Sequence, residues 1–588
     1  MLDIPEPNTI LVRPRRLHRS QLLIALFGLP ELSDIILSHL GRSDLVQWAR
    51  VSKAWHHAAI PYIWHDFSRL SKSQYKRLTR MVIDDYQRVC SHPPKSMGDN
   101  QSALAKYCPL IRKLGFASGK YSIFSSFLFD FIIDDTVQNE GSLPDIQLST
   151  TTAQGIFQHF MIHCTQLHAL DFTVRHHRFY ESVKVIADSA IQHLRHLSIH
   201  GTILQCAFKY MMARFPATLE TLELSCWLHS DSEQSEMKMD ETGQESLLSL
   251  RRLTLRYRAA DYFQDTFFSS LWIRCQFVEA LYFIDCGIGL FQPRASTMAT
   301  FMETTFPGLN TISIEEGESR CNLKDEGLAR LLSSSRLGWR SVSVLQFVEL
   351  GEQSWDALSQ YSATLEKFEM AKWHHQKHTE LRPFFTSFPR LQSFVTLAEK
   401  EGKYSKINPI GANDWIHQDP LSGVPTPWPC EYTLTDLRIS ICGIPRPDIT
   451  HPVVEESYPG EGQKIQHQVY ERLARFVNLE VLWLGSNSHY SEDPRMYSKK
   501  VKNHQYECLE MSLESGLDRL EGLKRLQVLN ISLMATRIGQ REAQWMAEQW
   551  PELHEIRGLE SGANAWRARQ WFKKNCPRVA TPQVSKKE

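Results

Sequence analysis

Four stretches of the sequence decide the fold because they repeat one pattern: LETLEL at 219–224, LRRLTL at 250–255, VEALYF at 278–283 and LNTISI at 309–314. The last three residues of each place one residue between two large apolar side chains, which is the two-residue period of a strand with one buried face. The pattern returns at 365–370, 434–439, 479–484 and 526–531, with weaker copies at 110–116, 167–172, 194–199, 391–394 and 553–559. The sequence therefore predicts one kind of short strand, used many times.

The spacing of these strands leaves room for one helix between each pair. Successive copies lie 25 to 31 residues apart between Leu170 and Ile312, and the segment DEGLARLL at 325–332 has helical apolar spacing. Repeats of this size bury a core only when they stack on their neighbours. They resemble leucine-rich repeats, and the resemblance implies an α/β solenoid: an irregular horseshoe with one strand and one helix per repeat.

The cysteines fit this resemblance better than a reactive or metal-binding role. Cys286, Cys442 and Asn487 follow an L-x-L pair by three residues, as in the cysteine-containing subclass of these repeats, which implies a structural turn. No C-x-x-C pair exists, so neither a zinc ribbon nor a thioredoxin-like site is expected. Reduced thiols in a cytoplasmic or nuclear protein are the expectation.

Residues 29–67 read LPELSDIILSHLGRSDLVQWARVSKAWHHAAIPYIWHDF and predict three short helices. About 40 residues bury little surface by themselves, so these helices are expected to dock on something. One interpretation is a helical cap for the domain that follows. The other is a surface for a partner protein.

The same segment resembles the F-box family. The resemblance rests on Leu29-Pro30, the segment 36–40, Asp44-Leu45, Val51-Ser52-Lys53 and the tryptophans at 55 and 64. It implies docking on a Skp-family adaptor, and through that adaptor on a cullin. The adaptor-binding residues it implies are Leu29, Pro30, Leu32, Ile36, Leu40, Leu45, Val51 and Trp55. Many F-boxes have one more residue between the Leu-Pro pair and the first-helix isoleucine, which predicts a shifted helix entry.

The predicted domain organisation is an extended arm at 1–23, the F-box at 24–68, a helical linker at 69–107, the solenoid at 108–576 and a frayed tail at 577–588. Pro-rich or acidic stretches predict inserted loops near 229–246, 399–430, 445–465 and 486–506. The aromatic segment 545–572 reads as an atypical last repeat with a closing helix, which covers the open end of a solenoid.

Composition excludes several classes of function. Lys plus Arg and Asp plus Glu are both 66, so the basic excess of a nucleic-acid binder is missing. No uncharged apolar run reaches the length of a membrane span. Phosphate-binding and nucleophile-elbow motifs are absent, and no cofactor is expected. His374, His375 and His378 with Glu380 form the one candidate metal cluster, although an exposed polar segment is the expectation there.

The middle residues of the strands are expected to face solvent on the concave side and to bind a target protein. The predicted target-binding residues are Arg256, Tyr282, Glu315, Arg438 and Trp483, with His200 at a similar position. Trp483 is the first choice, because tryptophan dominates binding hot spots; the alternative is that it packs on an inserted loop. The prediction is a non-enzymatic substrate receptor of a ubiquitin ligase, monomeric within the complex; the alternative is an interaction scaffold with a vestigial F-box.

Overall fold

The computed structural model describes residues 30–67, 72–91, 103–115, 150–174, 188, 192–229, 247–256, 271–284, 295–315, 322–348, 350–373, 382–396, 410–416, 426–444, 460–484, 509–532, 534, 537–559 and 563–582. Its contacts divide the chain into two compact units, Met1–Leu197 (unit 1) and Ser198–Glu588 (unit 2). The division does not fall between the predicted F-box and the predicted repeats. The three N-terminal helices therefore share a unit with the first strands.

Unit 1 begins with three short helices that lead directly into a parallel strand. Its helices are α1 Pro30–His39, α2 Arg42–Trp48, α3 Lys53–His65, α4 Lys72–Ser91, α5 Ala103–Tyr107 and α6 Thr150–His163. Its strands are β1 Asp66–Phe67, β2 Lys113–Gly115 and β3 Ala169–Val174, and they pair in parallel in that order. A further strand, β4 (His196–Leu204), crosses the division between the units.

Unit 2 alternates strands with helices. The strands are β5 Thr221–His229, β6 Arg252–Arg256, β7 Ala280–Ile284, β8 Thr311–Glu315, β9 Asn322–Leu323, β10 Ser341–Val348, β11 Lys367–Trp373, β12 Ser393–Val395, β13 Ile410–Gly411, β14 Asp436–Arg438, β15 Ile441–Cys442, β16 Val481–Trp483, β17 Val528–Asn530 and β18 Glu555–Arg557. The helices are α7 Gln205–Met212, α8 Ala295–Thr305, α9 Asp325–Leu332, α10 Glu352–Ser359, α11 Arg382–Ser387, α12 Ala412–Trp415, α13 Glu461–Ala474, α14 Gln540–Gln549 and α15 Ala563–Asn575.

The strands of unit 2 form one parallel stack, whose order is the order of the chain from β5 to β18 once β9, β13 and β15 are set aside. Strand β9 pairs with β10, and β13 pairs with β15. The apolar anchors lie in register across the stack and are buried: Leu222, Leu253, Leu281, Ile312, Val342, Phe368, Phe394, Leu437, Leu482, Leu529 and Ile556. Parallel strands joined by helices over one continuous core confirm the predicted repeat fold.

Strand β10 was not among the predicted strands. Its buried anchors are Val342 and Val344, preceded by the buried Trp339, where the other repeats carry leucine or a larger aliphatic residue. The β-branched valines suit the pleated surface equally well. The repeat is therefore regular in structure, although its sequence departs from the leucine pattern.

The insertion predicted at 399–430 is partly wrong. Residues 410–416 and 426–430 are built into unit 2, where Trp415 and Trp428 are almost fully buried. Their rings pack on Phe385, which lies 5.2 Å from Trp415 and 4.7 Å from Trp428 between ring centroids. The prolines of this segment suggested a loop, but its tryptophans fill a gap in the core. Residues 230–246, 397–409, 417–425, 445–459 and 485–508 lie outside the described residues, and these ranges hold most of the other predicted insertions.

A buried ion pair fixes this segment to helix α13. The guanidinium of Arg472 is 3.1 Å from Glu431, and the two side chains are only 1% and 2% exposed. Arg472 also donates to the carbonyl oxygen of Thr426 at 2.6 Å and lies 4.3 Å from the Trp428 ring. A second arginine, Arg475, reaches the same carboxylate at 2.8 Å. Because these charges are withdrawn from water, their mutual contacts are needed to keep the segment in place.

The C-terminal end differs from the predicted frayed tail. Helix α15 closes the unit as expected, but the chain then returns to the edge of β18. Ala580 donates its amide to the carbonyl oxygen of His554 at 2.7 Å and accepts from the amide of Ile556 at 2.9 Å. Val579 is 5% exposed. The exposed edge of the last strand is therefore partly paired, which reduces edge-to-edge association.

Candidate interaction surfaces

Helices α1, α2 and α3 form a small three-helix block with a closed core. Leu37, Leu45 and Ala59 are buried at its centre, and partly buried side chains such as Leu40 and Tyr62 pack around them. The rings of Trp48 and Trp55 contact each other at 4.4 Å between centroids. Helix α3 is capped by Ser52, whose hydroxyl accepts the amide of Trp55 at 3.2 Å. The Ser that follows Val51 therefore has a structural role in starting the helix.

Two large apolar side chains of the block remain in solvent. Ile35 on α1 is 57% exposed, and Val51 in the turn before α3 is 64% exposed. Val51 was predicted as an adaptor contact and is accessible for that role. Ile35 was not assigned, because the resemblance to the F-box pattern pointed to Ile36, which is half-buried. A helical wheel alone would place both isoleucines near the same face, so only the packing separates them.

The other predicted adaptor residues divide into three groups. Leu45 is only 4% exposed and belongs to the core of the block, so its assignment to the docking surface is corrected. Ile36, Leu40 and Trp55 are half-buried and border the surface. The side chains of Leu29, Pro30 and Leu32 lie outside the described residues, although Pro30 is the first residue of helix α1. Proline is favoured at that position because its missing N–H has no partner in a first helical turn.

The block is joined firmly to the first strands of unit 1. Arg42 on α2 donates to the carbonyl oxygen of Asp66 on β1 at 3.3 Å, and its guanidinium lies 4.4 Å from the Phe67 ring. The amide of Arg112, just before β2, donates to the carbonyl oxygen of His65 at 2.9 Å. The ring of Trp64 stacks on Tyr107 at 4.9 Å. These contacts make the block and strands β1 to β3 one packed structure.

The second candidate surface is the strand face of unit 2, which carries the residues between the buried anchors. We call the central set the middle row; its members pair strand to strand in the order Glu223, Thr254, Tyr282, Ser313, Ser343, Glu369, Val395, Arg438, Trp483, Asn530 and Arg557. Neighbouring strands in a sheet lie about 4.8 Å apart, so each member of the row contacts the members on the two neighbouring strands directly.

The expectation that the whole middle row faces solvent is wrong. Thr254, Ser313 and Ser343 are 5–7% exposed, and Asn530 is fully buried. The period of two correctly predicts which side of the sheet a residue occupies. Exposure on that side depends on the size of the neighbours, because a small side chain is covered when larger ones flank it.

Trp483 is the clearest correction. It was predicted to be exposed, but it is only 2% exposed. Arg438 and Arg557 lie 4.3 Å and 5.2 Å from its ring centre, so two guanidinium groups contact the indole. The contact from Arg557 passes over Asn530, which lies between them in the middle row. The indole therefore supports the surface, and the half-buried Arg438 and Arg557 form it.

The remaining predicted target residues are half-buried and already paired. Arg256 forms a close ion pair with Glu223, and Tyr282 lies 5.1 Å from the guanidinium of Arg252. Arg438 donates to Asp436 at 2.8 Å. Arg256 and Glu315 occupy the row beyond the middle row and both flank Ile284. His200 is half-buried with its ring nitrogen Nε2 2.8 Å from the hydroxyl of Ser198.

The structure thus groups the predicted residues at two places. Arg256, Tyr282 and Glu315 lie on strands β6 to β8, and Arg438 lies with Trp483 on β14 and β16. Strands β10, β11 and β12 separate the groups, a distance of roughly 20 Å at the usual strand spacing. Between them β10 carries the small hydroxyls of Ser341 and Ser343, and β11 carries the charged Lys367 and Glu369.

The buried thiols among the described residues are structural. Cys164 donates to the carbonyl oxygen of Phe160 at 3.4 Å, and Cys430 donates to that of Phe385 at 3.4 Å. Burial raises the pKa of Cys275 and of Cys430 to about 12, which disfavours the reactive thiolate. The side chains of Cys286, Cys442 and Asn487 lie outside the described residues, so the predicted ladder stays a prediction.

In the parts of the chain that the structure describes, no three His, Cys, Asp or Glu side chains are close enough to hold a metal ion. The predicted candidate at 374–380 lies outside those parts. Among the described helices, none has both the length and the apolar character needed to cross a bilayer.

Comparisons with known proteins add little to this geometry. No protein-family model and no curated protein matches the sequence. A solved leucine-rich-repeat protein of Leptospira interrogans is 11% identical over 72% of this chain and 91% of its own, with a TM-score of 0.28. A chain of the yeast complex of Rad7 and Elc1 is 11% identical over 71% of this chain and 78% of its own, with a TM-score of 0.27. The repeat fold rests on the strand register of this chain itself.

Proposed function

We propose that this chain is the substrate-recognition subunit of a cullin-type ubiquitin ligase. The three-helix block docks a Skp-family adaptor, and the strand face of unit 2 holds a target protein. The observation that carries the proposal is the exposure of Ile35 and Val51 on a block whose own core is already closed by Leu37, Leu45 and Ala59.

Those two side chains contribute less to the stability of the block than they would if buried. Burial of an aliphatic side chain of this size contributes about 1.5–3 kcal/mol, and Ile35 and Val51 forgo more than half of it in the free chain. An adaptor surface that covers them recovers this free energy. A block that served only as a cap for the repeats would turn its largest apolar side chains inward.

The contacts of Arg42, Trp64 and Arg112 connect adaptor docking to the position of the strands. Because they fix the block to strand β1, helix α5 and the start of β2, an adaptor bound to the block holds the first strands of unit 1 in a defined orientation. A target held by a receptor that is docked on the ligase meets the ubiquitin-charged enzyme of the complex at a high effective concentration. In this proposal the chain supplies proximity and has no catalytic residue or cofactor of its own. It acts in the cytoplasm or nucleus as a monomer within the complex.

The target-binding part of the proposal is carried by the two groups on the strand face. Arg438 and Arg557 are held against the Trp483 ring, and Arg252 lies against Tyr282. Such rigid arginine and aromatic groups lose little side-chain entropy on binding and are typical anchors of protein interfaces.

The proposal is tested by co-purification of the full-length chain with the host's Skp-family adaptor. The variant Ile35→Glu/Val51→Glu places two charges on the docking surface without touching the core, and we expect at least about 100-fold weaker binding, since two buried aliphatic contacts are replaced. Arg80→Glu, an exposed charge change on helix α4, is the matched control. The Leu29→Ala/Pro30→Ala variant tests the helix entry in the same assay.

The outcome separates two functions. Loss of the complex in the docking variant and its retention in the control support the ligase receptor. If the wild-type chain binds no adaptor, the chain is an interaction scaffold whose N-terminal helices only cap the first repeat.

A further inference from the structure

The last helix of unit 2 carries an unusual surface. Helix α15 buries Ala565, Ala568 and Phe572 on its inner side, as a closing helix must. Its outer side carries Trp566, which is 55% exposed, together with the half-buried Trp571. A cap needs a polar outer face, and an exposed tryptophan is costly on such a face.

All charged side chains of this segment are positive. Residues 563–582 contain no Asp or Glu, and their basic residues are Arg567, Arg569, Lys573, Lys574 and Arg578, in a chain whose formal net charge is zero. None of the five forms an ion pair with a described carboxylate, whereas other arginines of unit 2 are paired, such as Arg525 with Glu480 at 2.7 Å and Arg557 with Glu555 at 2.6 Å.

The helix dipole accounts for only part of this charge. Lys573 and Lys574 lie in the last turn, where positive charge is favourable. Arg567 lies near the start of the helix, where positive charge is unfavourable. Arg567 and the neighbouring Trp566 therefore stabilise neither the helix nor the core.

We infer that the outer face of α15 binds an acidic segment of a partner protein. The unpaired Arg567, Lys573 and Lys574 supply the complementary charge, and Trp566 supplies an apolar contact for a side chain of the segment. A helix of 13 residues is roughly 20 Å long. An extended peptide of about six residues has the same length.

The surroundings favour an acidic peptide over nucleic acid. The adjoining helix α14 and the turn after it carry the exposed Glu548 and Glu552. Helix α14 packs against α15, so a phosphate backbone that continues past α15 across α14 is repelled by these carboxylates. A short acidic segment ends before it meets them. The partly paired edge of β18 also disfavours the addition of a partner strand at this end.

The test uses fluorescence anisotropy with the full-length chain and a fluorescein-labelled ten-residue peptide of eight glutamates around a central Leu-Leu pair. The helix variant is Arg567→Glu/Lys573→Glu/Lys574→Glu, and a second variant is Trp566→Ser. The matched control, Lys324→Glu/Lys464→Glu/Arg541→Glu, makes the same change in net charge at exposed positions without ion pairs elsewhere in unit 2. A single-stranded DNA decamer is the competing polyanion.

We expect the helix variant to bind the peptide about 30-fold more weakly and Trp566→Ser about fivefold more weakly, while the control stays within about twofold. Binding by the wild-type chain is expected to weaken about tenfold between 50 and 300 mM NaCl, because exposed charges are screened. Equal losses in the helix variant and the control, tighter binding of the DNA than of the peptide, or no binding of the peptide would each overturn the inference. Adaptor binding is expected to survive the helix variant, so this result is independent of the ligase proposal.

Discussion

Asp325 is expected to hold two successive repeats together by capping the helix of the next one. Helix α10 begins after Gly351, which has no side chain to cap it. The carboxylate of Asp325 takes that role from helix α9: it accepts the amides of Gly351 at 2.9 Å, Gln353 at 3.1 Å and Ser354 at 2.9 Å. Replacing Asp325 with Ala leaves all three amides without this acceptor at once.

The size of the effect follows from these contacts. Loss of an N-cap side chain typically costs about 0.5–2 kcal/mol, and hydrogen bonds to a charged group are at the upper end of the usual range. We therefore expect about 2 kcal/mol, which corresponds to a roughly 30-fold larger equilibrium constant for opening of helix α10 and so to roughly 30-fold faster amide exchange. Hydrogen exchange followed by mass spectrometry on peptides covering 350–360 measures this directly, because it reports local opening in a large chain.

The pH dependence gives a second readout of the same contact. Burial opposes ionisation of Asp325, but the hydrogen bonds from Ser354, Gly351 and Gln353 outweigh it and lower its pKa below 3.8. A carboxyl whose pKa is lowered by folding stabilises the fold above its unfolded pKa and loses that effect as the pH falls through the folded value. The difference between wild type and Asp325→Ala is therefore expected to be constant from pH 7 to 5 and to shrink below about pH 3.8.

Asp356→Asn is the matched control, since Asp356 is exposed on the same helix and contacts none of these amides. If Asp325→Ala speeds exchange in 350–360 by less than about threefold, or by no more than Asp356→Asn does, the capping argument is refuted.

Three further predictions concern burial. Glu431→Gln leaves the guanidinium of Arg472, only 1% exposed, without its carboxylate, and we expect a loss of about 3–5 kcal/mol in the stability of unit 2, measured by denaturant unfolding. Unit 1 is expected to lose stability as the pH falls below 6.5, because burial lowers the pKa of three of its histidines and the unfolded chain takes up protons first; exchange at pH 7.5 and 5.5 measures this for His65, His163 and His168. At pH 8 iodoacetamide is expected to modify the exposed Cys90 and to spare Cys275 and Cys430 until the chain unfolds, as read by peptide mapping.

The first of these predictions has a control variant in the same chain. Glu480→Gln breaks a half-exposed ion pair with Arg525 and is expected to cost at most about 1 kcal/mol. An equal effect of the two substitutions contradicts the importance of burial at Glu431. Unit 1 that is no less stable at pH 5.5 than at 7.5 contradicts the histidine argument, and rapid labelling of Cys275 in the folded chain contradicts the thiol argument.

The strand positions were largely predictable from the sequence, because the side-chain period of a strand and the need for a continuous core act on every repeat alike. Every strong copy of the pattern, from 219–224 to 526–531, contains a strand of unit 2. Within the main stack the exception was β10, where Val342 and Val344 are the buried anchors. A search of the sequence for any two β-branched or aliphatic residues separated by one residue would have found β10.

Exposure was less predictable than position. Trp483 and Asn530 occupy the predicted face of the sheet but are buried by neighbours from other strands. Arg557, which covers both, is 74 residues away from Trp483 in the sequence, and no local pattern reports such a contact. Likewise, the resemblance to the F-box pattern could not distinguish Leu45 in the core from the exposed Ile35. Buried tryptophans in a proline-rich segment, such as Trp428, give no periodic signal at all.

The most direct test of the central claim is the mass of the complex formed by the purified full-length chain, the host's Skp-family adaptor and a cullin, measured by size-exclusion chromatography with light scattering. The account predicts one complex containing a single copy of each, formed by the wild-type chain and lost in Ile35→Glu/Val51→Glu. A chain that elutes alone at 68.0 kDa, or a complex that the double substitution leaves intact, contradicts it.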